Sequence, residues 1–179
     1  MSKNPPRIYW DANAWIAYIR KEMPAADNSI KEPRYDLCRE VLAKAERGEV
    51  EIVTSAFTLS EVCKRRSDAT GPEINLPAFF DQRYILVVPV DKQIGLKAQH
   101  LQLSSIGNLK PADATHAASA MIANVYVFHT FDGPLRGLDR LLTTNDGKPI
   151  RIVKPGDEVP LPPLLQRMQD DKEKNDEER

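Results

Sequence analysis

Five short runs of apolar and β-branched residues recur along the chain, each separated from the next by segments with helical spacing. The runs cover residues 7–10, 51–55, 84–90, 125–131 and 149–153. The helical segments cover residues 12–22, 33–48, 58–68, 74–82, 92–103 and 111–124. Because the runs are mostly apolar on both faces, they are typical of buried parallel strands. The alternation therefore predicts an α/β domain with a central parallel sheet of about five strands and helices on both faces.

Length and composition agree with one folded domain followed by a tail. The chain has 179 residues, of which 41% are hydrophobic and 28% charged, and a domain of this size can bury a sizeable core. We expect the folded domain over residues 1–154. Residues 155–179 are rich in proline and then in charge, which predicts an extended arm and a disordered tail. The acidic tail produces the net charge of −1, so the weakly basic remainder neither indicates nor excludes a nucleic-acid partner.

Cysteine content and the N-terminal sequence indicate the compartment. The two cysteines, Cys38 and Cys63, are too few for a disulfide framework, and we interpret them as small buried hydrophobic residues in a reducing environment. The chain start has no apolar run suited to a signal peptide, and no segment approaches the length of a membrane span. We therefore expect a cytoplasmic protein.

Four acidic residues lie beside apolar residues, outside the charged runs, at strand ends or in early helical turns. They are Asp11, Glu61, Asp113 and Asp132. Because ligands of parallel sheets bind beyond the carboxyl ends of the strands, we expect these carboxylates at one edge of the sheet. Converging carboxylates repel one another unless a cation lies among them, and oxygen ligands favour Mg²⁺ or Mn²⁺ over Zn²⁺. The pattern predicts a metal site of the kind that hydrolyses phosphodiesters.

Each acid also has an ordinary structural interpretation. Asp11 could cap a helix, Asp113 could favour a helix N-terminus, Asp132 could form a turn, and Glu61 could pair with Lys64 or Arg65. A single site is the simpler explanation, because four coincidences at one edge are otherwise needed.

The order of these acids resembles that of the PIN-domain nucleases. The matching residues are Asp11-Ala12-Asn13 after a strand, Glu61 and Asp113 on helices, and Thr130-Phe131-Asp132 after a later strand. The resemblance covers residues 7–154, and in size the chain is most similar to the VapC-like toxins of type II toxin–antitoxin systems. It implies a three-layer α/β/α PIN-like domain, Mg²⁺- or Mn²⁺-dependent endoribonuclease activity, a homodimer and an antitoxin partner. It also implies that Asp11, Glu61, Asp113 and Asp132 are the catalytic, metal-binding residues.

Two positions depart from the family pattern. Asn13 replaces the usual Thr or Ser, although an amide can still bind Asp11 or a metal-bound water. Pro134 lies near the place of a second acid that often follows the family's last Asp, which leaves a second metal less well held. Thr130 could orient water or phosphate. For the RNA backbone, the nearby basic residues are the candidates, namely Arg20, Lys64, Arg65 and Arg136.

Other polar and aromatic residues favour structural roles. His116 could touch RNA, but the small residues after it favour a hydrogen-bonded core histidine. Trp10 and Trp15 are expected in the core. We expect no special task for His129 and solvated side chains for Asp139 and Asp146.

Three functions other than that of a toxin nuclease compete for this sequence. An aspartyl phosphatase would need a second acid where Asn13 lies, so that function is disfavoured. A housekeeping RNA-processing nuclease stays open. A catalytically silent RNA- or protein-binding scaffold also stays open, although the complete set of acids speaks against it.

Overall fold

A computed structural model of the chain describes residues 5–25, 30–62, 76–104, 106 and 108–156. The strands are β1 (Arg7–Trp10), β2 (Glu51–Ser55), β3 (Ile85–Val88), β4 (Val127–His129) and β5 (Arg151–Val153). The helices are α1 (Ala12–Ile19), α2 (Arg34–Glu46), α3 (Ala56–Val62), α4 (Leu76–Phe80), α5 (Lys92–Leu103), α6 (Pro111–Ile122) and α7 (Gly133–Arg136). Cys63, the end of the predicted 58–68 helix and most of the predicted arm and tail lie outside the described residues.

The five strands form one sheet in the order β3-β2-β1-β4-β5, and every neighbouring pair is parallel. This confirms the predicted parallel sheet. The strands that follow β1 in sequence lie on both of its sides, since β2 pairs with one edge of β1 and β4 with the other. A sheet whose strand order reverses in this way opens a crevice at the carboxyl ends of the two strands where it reverses. The fold therefore places such a crevice beyond Trp10 and His129.

Both faces of the sheet are buried, because successive side chains of β1 point to opposite sides. Tyr9 belongs to a core with buried residues of α5 and α6, whereas Ile8 and Trp10 belong to a second core with residues of α1 and α2. Two cores separated by one sheet make the three-layer α/β/α arrangement that the PIN-like resemblance implied. Cys38 is buried in the second core, as expected.

The fourth strand is shorter than predicted, and the reason bears on the site. Residues 125–131 were expected to form a strand, but β4 ends at His129. The Asp132 side chain accepts a hydrogen bond from the Leu135 backbone N–H at 2.9 Å, which starts the unpredicted helix α7. A local side-chain cap thus turns the chain away from the sheet. No helix in the described part of the chain is long and apolar enough to span a membrane.

Candidate active site

Asp11 lies between β1 and α1, and its carboxylate is almost fully buried, with 2% of the residue exposed. Its Oδ1 accepts a hydrogen bond from the Ala14 backbone N–H at 3.1 Å, so Asp11 does cap α1 as the structural interpretation proposed. Its Oδ2 accepts a hydrogen bond from the Thr130 hydroxyl at 2.6 Å. A helix cap alone does not need this second contact from a neighbouring strand.

Thr130 and Asp132 reach the same place from β4. Trp10 of β1 is in register with His129 of β4, so the residues after them, Asp11 and Thr130, lie side by side at the carboxyl edge of the sheet. The Thr130 hydroxyl oxygen also accepts a hydrogen bond from the Asp132 backbone N–H at 2.9 Å. Thr130 therefore connects Asp11 to the backbone of Asp132.

Asp113 and Glu61 lie on two helices, Asp113 in the first turn of α6 and Glu61 near the end of α3. Both are half-buried. The charges of Asp132 and Glu61 both act on the Asp113 carboxylate, and the charge of Asp132 also acts on Asp11. The four acids thus form one electrostatic series, Asp11 with Asp132, Asp132 with Asp113, and Asp113 with Glu61.

Burial is the main reason that the carboxyl groups of Asp11 and Asp113 resist ionisation. It raises the pKa of Asp11 to about 6, with a smaller contribution from the charge of Asp132. Burial also raises the pKa of Asp113, and the negative charges of Asp132 and Glu61 add to that rise. His116 opposes both shifts. A bound cation would favour the ionised forms of both residues.

The four carboxylates have the ligand chemistry that a hard cation requires, but their side chains do not surround a common point in this structure. In the described residues, no group of three or more His, Cys, Asp and Glu side chains stands ready to hold a metal ion. Carboxylate oxygens are nevertheless the ligands that Mg²⁺ and Mn²⁺ prefer. A divalent ion would stabilise the buried negative charge of Asp11 and would reduce the repulsion among the four carboxylates.

His116 is a residue whose importance the sequence did not reveal. It is buried, as expected for a core histidine, with 2% exposed, and its Nε2 lies 2.7 Å from Glu61 Oε2. Glu61 is therefore bound by a neighbouring helix, whereas its proposed partners Lys64 and Arg65 lie outside the described residues. The signal in the sequence was weak, because only a three-residue spacing on α6 relates His116 to Asp113.

The remaining predicted residues lie at different distances from the crevice. Asn13 is exposed in the first turn of α1. Arg136 lies one turn from Asp132, since its backbone N–H donates to Asp132 O at 3.2 Å. Arg20 follows α1 at the end away from Asp11; eight residues at 1.5 Å each separate the two helix ends by about 12 Å. The structure thus places the backbone of Arg136 beside that of Asp132 and leaves Arg20 at the far end of α1.

Two acids expected to be solvated, Asp139 and Asp146, do reach solvent, and they also hold loops together. Asp139 Oδ1 accepts a hydrogen bond from the Ile152 backbone N–H at 2.7 Å, and Asp146 accepts one from the Tyr126 hydroxyl at 2.7 Å. Both contacts bridge positions more than ten residues apart, which periodicity does not reveal. The two tryptophans, Trp10 and Trp15, are fully buried, as expected.

The chain has a parallel sheet with helices on both faces, and acidic residues and Thr130 lie in the crevice where the strand order reverses. These features define an α/β protein with a candidate hydrolytic centre. The sequence matches the PIN domain over residues 8–141, and the chain belongs to this family of nucleases. The family resemblance that the order of the acids indicated is therefore confirmed.

Two solved structures have a similar fold. VapC20 of Mycobacterium tuberculosis, a toxin that cleaves the sarcin-ricin loop, superposes with a TM-score of 0.51 and 18% identity, covering 73% of this chain and 93% of VapC20. FitAcB of Neisseria gonorrhoeae gives a TM-score of 0.52 and 15% identity, covering 84% of this chain and 99% of FitAcB. No match was found among curated proteins. At these identities, the two comparisons show that the fold is shared.

Proposed function

We propose that the chain is an Mg²⁺- or Mn²⁺-dependent endoribonuclease. The observation that carries this proposal is the Thr130 hydroxyl, which joins the buried carboxylate of Asp11 to the backbone of Asp132 at the reversal point of the sheet. Membership of the PIN domain family supports it. We also propose a PIN domain over residues 1–154 and a tail over residues 155–179, on the composition of the sequence.

The proposed metal ligands are the carboxylates of Asp11, Glu61, Asp113 and Asp132. Bound divalent ions would activate a water molecule and neutralise charge on the scissile phosphodiester. The protein's own contribution is orientation: Thr130 and the Ala14 backbone N–H direct both Asp11 oxygens, and the Leu135 backbone N–H fixes Asp132. Asn13 is proposed to assist through its amide. Arg20, Lys64, Arg65 and Arg136 are proposed to bind the RNA backbone, with Arg136 the nearest described one.

The purified protein should cleave single-stranded RNA with Mg²⁺ or Mn²⁺, stop in excess EDTA, and leave 5′-phosphate and 3′-hydroxyl ends. Asp113→Asn should abolish cleavage. Asp36→Asn is the matched control, because Asp36 and Asp113 are both the third residue of a helix and Asp36 is paired with Arg39 elsewhere. Cleavage that persists in EDTA, or a cyclic phosphate product, would contradict the metal mechanism.

We further propose that the chain is the toxin of a toxin–antitoxin pair, as the fold it shares with VapC20 suggests. A small antitoxin should then be encoded beside it, and its co-expression should relieve growth arrest caused by this chain. A homodimer is also proposed, because Leu96 and Leu103 lie seven residues apart on α5 and are 56% and 81% exposed. Light scattering of the wild type and of Leu103→Glu would test the dimer. Harmless expression with an intact nuclease would instead favour a housekeeping enzyme.

A further inference from the structure

Glu61 is held by a largely buried network of two hydrogen bonds that connects three elements of the fold, β1, α6 and α3. His116 of α6 lies with Nε2 2.7 Å from Glu61 Oε2 and with Nδ1 3.0 Å from the Tyr9 hydroxyl of β1. Tyr9 is fully buried, and 3% of the His116 side chain is exposed, against 22% of Glu61. This network thus extends from Tyr9 in the interior of the sheet to Glu61 at the rim of the crevice.

The hydrogen-bonding capacity of the three groups permits one consistent arrangement of protons around a neutral imidazole. An ionised carboxylate only accepts, so His116 Nε2 carries the hydrogen and donates to Glu61. In the neutral ring His116 Nδ1 is an acceptor and the Tyr9 hydroxyl donates to it, whereas in the imidazolium, whose charge opposes the pKa rises of Asp11 and Asp113, Nδ1 donates to the Tyr9 oxygen. The carboxylate therefore selects the tautomer of the imidazole, and Tyr9 is oriented to match that tautomer.

The imidazole ring is also fixed by packing. Tyr9 and Phe57 both meet it in edge-to-face contacts, with ring centroids 6.0 and 5.9 Å away. Phe57 lies on α3 one helical turn before Glu61, so the helix that carries the acid also holds the ring that binds it. A glutamate side chain has several rotatable bonds and loses that freedom only when something holds its carboxylate.

We propose that His116, oriented by Tyr9, is a positioning residue that holds the Glu61 carboxylate toward Asp113 for metal binding. This role rests on the proposed metal-dependent function. The charge of Glu61 acts on Asp113, so the direction in which His116 holds Glu61 determines whether the two acids can share an ion. Partners that orient metal ligands typically contribute 10–100-fold to metal affinity.

The test measures Mn²⁺ binding to the RNA-free protein by calorimetry. His116→Leu should weaken Mn²⁺ binding by about 10–100-fold, whereas His116→Gln, which can still donate to Glu61, should recover much of the loss. Tyr9→Phe keeps the packing and should weaken binding in the same direction by less. His100→Leu is the matched control, because His100 is exposed on α5, and it should leave the affinity unchanged.

A second readout needs no metal. Imidazole ¹⁵N signals of the metal-free wild type should show His116 with its hydrogen on Nε2, and Glu61→Gln should perturb them more than Asp113→Asn does. If His116→Leu binds Mn²⁺ with the same affinity as the wild type, the positioning role alone is overturned. A wild type that binds no Mn²⁺ would overturn the proposed metal site and this role together. If Glu61→Gln leaves the ¹⁵N signals of His116 unchanged, the contact between His116 and Glu61, on which the role depends, is overturned.

Discussion

Thr130 and Asp11, 119 residues apart in sequence, share a 2.6 Å hydrogen bond between the ends of β4 and β1. The acceptor is a buried carboxylate, and the donor hydroxyl at the same time accepts from the Asp132 backbone. One small side chain thus connects two of the proposed metal ligands. This relationship explains why a residue with a hydroxyl group is found two residues before Asp132.

Thr130→Val should destabilise the fold and weaken the site, because it keeps the shape and removes the donor to Asp11. Hydrogen bonds to charged groups contribute about 1.5–3 kcal/mol, so a loss of that order in the free energy of unfolding is expected. Urea unfolding measures it. Thr130→Ser retains the hydroxyl and should recover most of the stability; an equal loss in both variants would assign the effect to packing of the methyl group.

Asp113→Asn should stabilise the metal-free protein at neutral pH while removing cleavage. Because burial and the charges of Asp132 and Glu61 raise the pKa of Asp113, its ionised form is disfavoured in the folded state relative to the unfolded chain. The penalty applies once pH exceeds the unfolded pKa and disappears in the amide. Thermal unfolding at pH 7 measures the change.

The stability that Mg²⁺ adds to the folded protein also distinguishes the wild type from Asp113→Asn. Mg²⁺ at one hundred times its Kd should stabilise the wild type by about 2.7 kcal/mol, and Asp113→Asn by less. Asp36→Asn should keep the full response. If Asp113→Asn lowers the stability of the metal-free protein and leaves the Mg²⁺ response intact, then Asp113 is a structural helix-terminal acid.

His129 should make the fold sensitive to acid. Burial, with a smaller contribution from Lys44, lowers its pKa from 6.5 to about 3, and its Nδ1 accepts a hydrogen bond from Trp10 Nε1 at 3.2 Å. Below pH 6.5 the unfolded chain binds a proton that the folded chain does not. This site should therefore cost up to about 1.4 kcal/mol of stability per pH unit as pH falls from 6.5 toward 3.

The matched variants for this prediction are His129→Asn and His100→Asn. An asparagine oxygen can replace Nδ1 as the acceptor for Trp10, so His129→Asn should flatten the pH dependence between pH 6.5 and 4. His100 is exposed, and its replacement should leave that dependence as it is. Urea unfolding across this pH range decides; parallel curves for the wild type and His129→Asn would refute the prediction.

Arg136→Ala should weaken RNA binding for all sequences alike. Arg136 lies one turn from Asp132, and a side chain that contacts one phosphate contributes roughly one ion to the salt dependence of binding. RNA affinity should be measured over a salt series. Arg7→Ala is the control, because Arg7 pairs with Glu51 at the start of β1, opposite the crevice. An unaltered slope in Arg136→Ala would exclude a phosphate contact by Arg136.

Much of the architecture could be predicted because its signals are local. The apolar run at residues 51–55 became β2 without change, and Pro111 opened α6 where proline geometry favours a helix start. The end of β4 was predicted less well, because the Asp132 cap starts α7 through a contact that apolar periodicity does not encode. The order of the four acids indicated the family, since Asp11 and Asp132 follow strands and Asp113 lies in the first turn of a helix.

The sequence by itself determined the alternation of elements, the faces that are buried and the kinds of side chain at the strand ends, because these depend on spacing along the chain. Only the tertiary structure decided which strands are neighbours, and therefore that Asp11 meets Thr130. It also decided that His116 faces Glu61 rather than solvent, and that burial raises the pKa of Asp11 to about 6. These properties depend on contacts between distant residues and on the exclusion of water, which arise only when the helices pack on the sheet.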